Sequence, residues 1–167
     1  DGRKRVHLSP VASGGGFYKR ELSGRNSTLR LDTGHFSIAG QGGPGVGPFT
    51  MNFPSPEPFR MPETMRNRTI DRHGPLRLEW DSKSPDAMRI RVMSSAGTGS
   101  AGITYCMVPA AAQHFTIPQE LLAHLPQGRG LVTLLTSVRG TAASIPKGLD
   151  SVHAFSVFAR EIEVMVR

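Results

Sequence analysis

The sequence predicts an all-β fold, an antiparallel β-sandwich of the Ig-like or jelly-roll-like kind with one short helix near 118–125. Three observations predict it. Gly (19) and Pro (13) make up about a fifth of the 167 residues and follow no collagen-like period. Each Gly costs a helix interior about 1 kcal/mol and each Pro about 3, so a mainly helical chain is excluded. Apolar residues alternate with polar ones in short runs at roughly ten-residue spacing, with turn signals between them. A single segment, Ile117 to Pro126, carries a helical signature.

The elements follow in order. Lys4–Leu8 is expected as a short edge strand closed by Ser9-Pro10, with Ser13-Gly14-Gly15-Gly16 as a hinge. Phe17–Leu22 and Thr28–Leu31 are expected to pair as a hairpin around Ser23-Gly24-Arg25-Asn26. Gly34–Ala39 alternates, with Phe36 and Ile38 on one face. The glycine-rich run from Gly40 to Pro48 suggests a phosphate cradle at first. That pattern needs a terminal Lys-Ser/Thr and a following helix, whereas Pro48 and the strand-like Phe49–Phe53 come next. A tight turn or bulge between strands fits, since Gly tolerates positive φ.

Residues 54–75 hold Pro54, Pro56, Pro58, Pro62 and Pro75, and are expected as an extended connection. Such a segment is either a binding element or a crossover between sheets. Leu76–Trp80 and Met88–Met93 alternate cleanly and are expected to form an antiparallel hairpin through the turn Asp81–Asp86. Its apolar face is Leu76, Leu78, Trp80, Met88, Ile90 and Val92, and Arg89 and Arg91 point outward. Gly102–Val108 and His114–Ile117 come next as strands. The helix has Pro118 in its first turn, where Pro is accepted, and stops at Pro126. Leu131–Val138 and Val152–Val166 close the fold, and a bulge near Ala159-Arg160-Glu161 accounts for a slip in the alternation of the last. The expected organisation is an N-terminal arm and hairpin over 1–31, able to join the same sandwich, and a β-sandwich domain over 32–167.

The charge is +7, from 20 Lys and Arg against 13 Asp and Glu. That is expected either from an anionic partner surface or from a soluble surface that is simply basic, and the pattern does not suit nucleic acid. Arg3-Lys4-Arg5 is the one basic triplet, and the eleven aromatics form no RNA-binding strand motif. Cys106 lies in an apolar run and reads as a small buried hydrophobe. No stretch reaches the length of a membrane-spanning helix. No signal-peptide pattern is read in these residues, and the start at Asp1 rather than Met is expected of a processed or trimmed product, so secretion stays open.

Catalytic and metal sets are not expected. The histidines, His7, His35, His73, His114, His124 and His153, lack both the i, i+4 and the His-x-His spacing of zinc sites. Glu161 and Glu163 share a strand face and read as solvated, and no Gly-x-Ser-x-Gly elbow occurs. No cofactor is expected. The candidate partner-binding residues are Phe59, Met61, Arg66, Arg68 and Arg72 in the Pro/Arg-rich connection, with Arg89 and Arg91 on the wet strand face.

From about Asp32 onward the chain resembles the C-terminal β-rich domain of a group of uncharacterised secreted bacterial proteins. The residues that carry the resemblance are Phe36-Ser37-Ile38, the turn Gly42 to Phe49, Leu76-x-Leu78-x-Trp80, Tyr105-Cys106 with Pro109-Ala110, Phe115-Thr116-Ile117-Pro118, Leu121-Leu122-x-x-Leu125-Pro126 and Gly148-Leu149-Asp150. The turn after Trp80 departs from the group's glycine turn, being Asp81-Ser82-Lys83-Ser84-Pro85. The resemblance implies periplasmic or extracellular residence and no chemistry. The resulting expectation is a non-enzymatic interaction domain, an accessory subunit docking on a larger protein of a membrane or envelope assembly. The alternative is a sandwich that binds acidic glycans, which needs an exposed aromatic platform.

Overall fold

Apolar side chains recur at even-numbered positions through four long segments, and the chain lays these segments side by side. The computed structural model describes residues 34–65, 68–97, 99–142 and 144–167. Its strands are β1 (His35–Gly40), β2 (Phe49–Pro54), β3 (Arg68–Ile70), β4 (Leu76–Glu79), β5 (Ala87–Ser95), β6 (Ala101–Pro109), β7 (His114–Ile117), β8 (Gly128–Arg139), β9 (Thr141–Ala142) and β10 (Phe155–Val166). One four-residue helix, α1 (Gln119–Leu122), lies between β7 and β8. The fold is therefore all-β with a short helix in the expected place. The strands and hairpin expected before residue 32 lie outside the described residues.

A five-stranded sheet in the order β3-β10-β8-β5-β6 is the frame. All its pairs are antiparallel except β3 with β10. The registers place Met88, Ile90 and Val92 beside Leu134, Val132, Cys106 and Val108. Ile162 lies opposite Val132 in turn. These residues enter one apolar cluster with Leu76, Leu78 and Trp80 of the β4 segment, Ile117 of β7, and Leu122 and Leu125 of the α1 turn. A two-residue period on half-buried strands gives this result. Trp80 is 3% exposed, and its Nε1 donates to the Ala110 carbonyl at 2.7 Å. The polar edge of the ring is thus satisfied while its body is packed.

Three expectations need correction. The β4 and β5 segments are not a hairpin. β4 pairs with β7 as a separate two-stranded ribbon, and β5 pairs with β6 and β8. The link between them is held down rather than turned back: Ser82 and Ser84 are buried, and Asp81 bridges to Arg60. Two strands with apolar faces can face each other across a core as easily as lie side by side, and local alternation does not distinguish the cases. The connection over 54–75 is also not simply extended. It drops Phe59 into the core, makes a turn of 3-10 helix at Glu63–Met65, and adds β3 to the sheet edge. Lastly, β10 has no bulge. Its register with β8 is unbroken from Phe155 opposite Arg139 to Val166 opposite Gly128. Phe158, Ile162, Val164 and Val166 keep the inward parity, and Phe155 and Val157 are apolar residues on the other face.

A smaller sheet, β1-β2-β9, is built on the glycine-rich turn. Gly42 (φ +81) and Gly45 (φ +95) take the left-handed backbone that closes it, and Gly43 and Val46 exchange hydrogen bonds. The turn expected from the sequence is present. The chain passes from β8 into β9 at Gly140, where a side chain would be crowded: a Cβ would sit 3.0 Å from the Phe53 Cβ and 3.1 Å from the Ala154 Cβ.

Two stability measurements check this packing. Trp80→Ala is expected to cost about 3–5 kcal/mol in urea unfolding, from the lost packing of a large buried ring. Gly140→Val is expected to cost about 1–3 kcal/mol by overpacking the crossing between the two sheets. A near-neutral result at either site would contradict the placement given.

Candidate interaction surface

One face of the five-stranded sheet covers the core, and the other carries the odd-numbered side chains of β6, β5, β8 and β10. The registers align Tyr105, Arg91, Thr133 and Glu161 in a single row across the strands. Met107, Arg89, Leu135 and Ala159 form the next row, and Ile103, Met93, Leu131 and Glu163 another. Among the described residues ten large hydrophobic side chains are exposed, and six of them belong to this face: Ile103, Tyr105, Met107, Phe155, Val157 and Met165, each 41–67% exposed. Isolated exposed apolar residues are ordinary, but this concentration on one face is not.

The polar residues between them are ordered. Arg91 Nη2 donates to Thr133 Oγ1 at 3.0 Å and to Glu161 Oε1 at 3.4 Å, and Thr133 Oγ1 donates to the same carboxylate oxygen at 3.3 Å. Thr133 is only 2% exposed, while the Arg91 and Glu161 side chains that meet over it are 33% and 53% exposed. Four arginines (Arg89, Arg91, Arg129, Arg139) and two glutamates (Glu161, Glu163) stand on the face, leaving it positive. Toward one end, Arg129, Leu131, Glu163 and Met165 border an open depression of about 550 Å³.

The residues expected to bind a partner do not gather in one place. Phe59 is 1% exposed and stacks edge-on to Phe158 with ring centroids 5.3 Å apart, so it is a core residue and is corrected from the partner set. Met61 is half-buried and packs against that core. Arg68 is exposed and holds β3 to β4: its Nη1 donates to the Arg77 carbonyl at 3.0 Å and contacts Met65 Sδ at 3.4 Å. Arg72 is half-buried, and its Nη1 donates to the Leu125 carbonyl at 3.3 Å. Arg66 lies outside the described residues. Arg89 and Arg91 stand together on the outer sheet face, the first exposed and the second half-buried. Phe59, Met61, Arg68 and Arg72 of the connection thus make contacts within the fold, and the two β5 arginines stand on the candidate surface.

Phe155, Val157, Ile103, Tyr105, Met107 and Met165 are the residues that sequence reasoning missed. The signal was present as apolar residues at both parities, in Ile103–Val108 and in Phe155–Phe158. Among the described residues no three His, Cys, Asp or Glu side chains come together to hold a metal ion. No described helix is long and apolar enough to cross a membrane. Comparison of the chain with family models, with curated proteins and with solved structures found no match to any of them.

Cys106 sits on the inward parity of β6 opposite Ile90, and burial pushes its thiol up from the ordinary value. Loss of solvation disfavours the thiolate, which is the reactive form. At neutral pH the native chain is expected to alkylate with iodoacetamide more slowly than the urea-unfolded chain. Equal rates would mean that β6 does not hold Cys106 inward.

Proposed function

We propose that this chain is an interaction domain that docks on a larger protein through the outer face of its five-stranded sheet. The observation that carries the proposal is the concentration of exposed apolar side chains on that face, around a basic centre. Burying them against a partner gives the non-directional part of the affinity. Arg89, Arg129 and Arg139 favour an acidic apolar surface and set its orientation. The body that presents the face is read as a β-sandwich, Ig-like or jelly-roll-like, because the five-stranded sheet and the β4–β7 ribbon share one core. Residence in the periplasm or outside the cell, and a role as a non-enzymatic accessory subunit of an envelope assembly, rest on the resemblance to secreted bacterial domains.

Binding of acidic glycans has less support. It calls for an aromatic platform, and the lone Trp is in the core. Among the described residues Tyr105 is the most exposed ring, and its neighbours across the strand are Arg91 and, beside it, Met107 rather than a second ring; Tyr18, the other ring that could serve, lies outside the described residues.

The test is capture from a mildly solubilised envelope fraction, using wild-type chain and the Val157→Glu variant. Val157 is 55% exposed and pairs across the strand with Ser137, so its replacement is expected to change stability by no more than about 0.5 kcal/mol. Wild type is expected to retain a stoichiometric protein partner, which Val157→Glu loses about tenfold or more and which weakens as salt is raised. Equal capture by both proteins, or retention on acidic glycans with no protein partner, would sink the proposal.

A further inference from the structure

The sheet ends on one side at β6, and the hydrogen-bonding groups there can be assigned residue by residue. At one end of the β5–β6 hairpin Ala96 N–H donates to the Ser100 carbonyl at 2.9 Å. At the other, Ala110 N–H donates to the Asp86 carbonyl at 2.9 Å. Both contacts join even-numbered residues, and the register between them is continuous from Ala87 opposite Pro109 to Ser95 opposite Ala101. In an antiparallel ladder, bonded and non-bonded pairs alternate. Gly102, Thr104, Cys106 and Val108 therefore bond to β5. The N–H and C=O groups of Ala101, Ile103, Tyr105 and Met107 point away from the sheet. No hydrogen bond among the described residues reaches them.

This edge lacks the devices that keep other edges apart. Natural sheets protect a free edge with charge, brevity, proline or a bulge. The opposite edge, β3, has three residues and begins with Arg68. β6 has nine residues, no charged side chain, no bulge, and a proline only at its last position. Apolar side chains flank it on both sides: its own Ile103, Tyr105 and Met107 on the outer face, and Leu121 of α1 beside Thr104 on the inner. Leu121 is 41% exposed and sits at the middle of the strand, where its carbonyl accepts from Thr104 Oγ1 at 2.7 Å.

The geometry points to a second copy of this chain as the occupant of that edge, paired β6 to β6 antiparallel about a two-fold axis at Thr104. The four outward residues are symmetric about that position. Ala101 meets Met107 of the second copy, and Ile103 meets Tyr105. Each such pair exchanges two hydrogen bonds, so every outward group of the four residues is satisfied with none left over. The run is bounded by the hairpin loop at one end and by Pro109, which has no N–H, at the other. A strand without charge meets its own reverse without repulsion, and an isologous contact of this kind closes as a dimer. Two five-stranded sheets then become one continuous sheet, and the Leu121 side chains come together across the axis. The dimer doubles the outer face proposed above as a docking surface, but does not depend on that proposal.

The experiment is sedimentation over a concentration series, with amide exchange read by NMR, on the full chain and on Tyr105→Pro, Tyr105→Lys and Val157→Glu. Proline at 105 removes an outward N–H and no bond to β5. The lysine variant covers the case in which proline disturbs the strand, and far-UV circular dichroism checks that each variant folds. Wild type and Val157→Glu are expected to reach twice the single-chain mass, with the amides of Ala101, Ile103, Tyr105 and Met107 gaining protection as the dimer forms. Either Tyr105 variant is expected to return the mass to that of one chain. The inference is overturned if wild type stays at single-chain mass throughout. It is overturned if those amides are protected in the monomer, which means a segment of the same chain covers the edge. It is also overturned if the mass doubles while they exchange freely, or if they gain protection only when another protein is added. In each case the loss of partner capture by Val157→Glu is a separate outcome.

Discussion

The alternation of four long antiparallel strands governs the rest of the molecule. Because β6, β5, β8 and β10 pair in unbroken register, every even-numbered side chain on them faces one way and every odd-numbered one the other. A slip of one residue anywhere would exchange the two sets. The inward set is apolar enough to fix the register alone: Met88, Ile90, Val92, Val132 and Leu134 are almost fully buried. The two faces are therefore coupled. The core requires the register, and the register dictates which residues appear outside, whatever their chemistry.

That coupling explains why the outer face is apolar without harming the fold. Phe155 and Val157 on β10, like Ile103, Tyr105 and Met107 on β6, take no part in the core cluster. Their exposure costs the folded state little, since they are also largely wet when the chain unfolds. It costs solubility, because contiguous apolar surface invites association. The charges on the same face limit that effect. The Arg91–Thr133–Glu161 row lies across the middle of the sheet, and its arginine is only a third exposed, so it separates the apolar ends of β6 and β10. A pair of this exposure contributes little to stability, and its position suits orientation and selectivity better than affinity.

The sequence carried the class of the fold and many of its parts. The strands at Gly34–Ala39, Phe49–Phe53, Leu76–Trp80, Met88–Met93, Gly102–Val108 and His114–Ile117 are present within a residue or two, as are the glycine turn and the short helix after Pro118. The partnering of the strands was not legible, since alternation records which way a side chain points and not which strand lies beside it. So β4 and β5, close in sequence and both with apolar faces, were expected to pair and instead belong to separate sheets that contribute to one core. β3 is three residues long and includes no alternation to detect.

The outer face of the sheet was not legible in the sequence for a related reason. An apolar residue at an outward position violates the binary pattern, and there are two ways to restore it: insert a bulge, or accept that the outward face is apolar. Reading Ala159-Arg160-Glu161 as a bulge took the first course, and the unbroken pairing of β10 with β8 supports the second. The same choice arises at Ile103–Val108, where apolar side chains of both parities sit on one strand. A strand that is apolar on both faces belongs in the middle of a protein, covered on each side. β6 is at the edge, with its outward backbone groups unbonded among the described residues. Composition that suits an interior and a position that suits a rim are reconciled when further chain is supplied from outside, over the face, along the edge, or both.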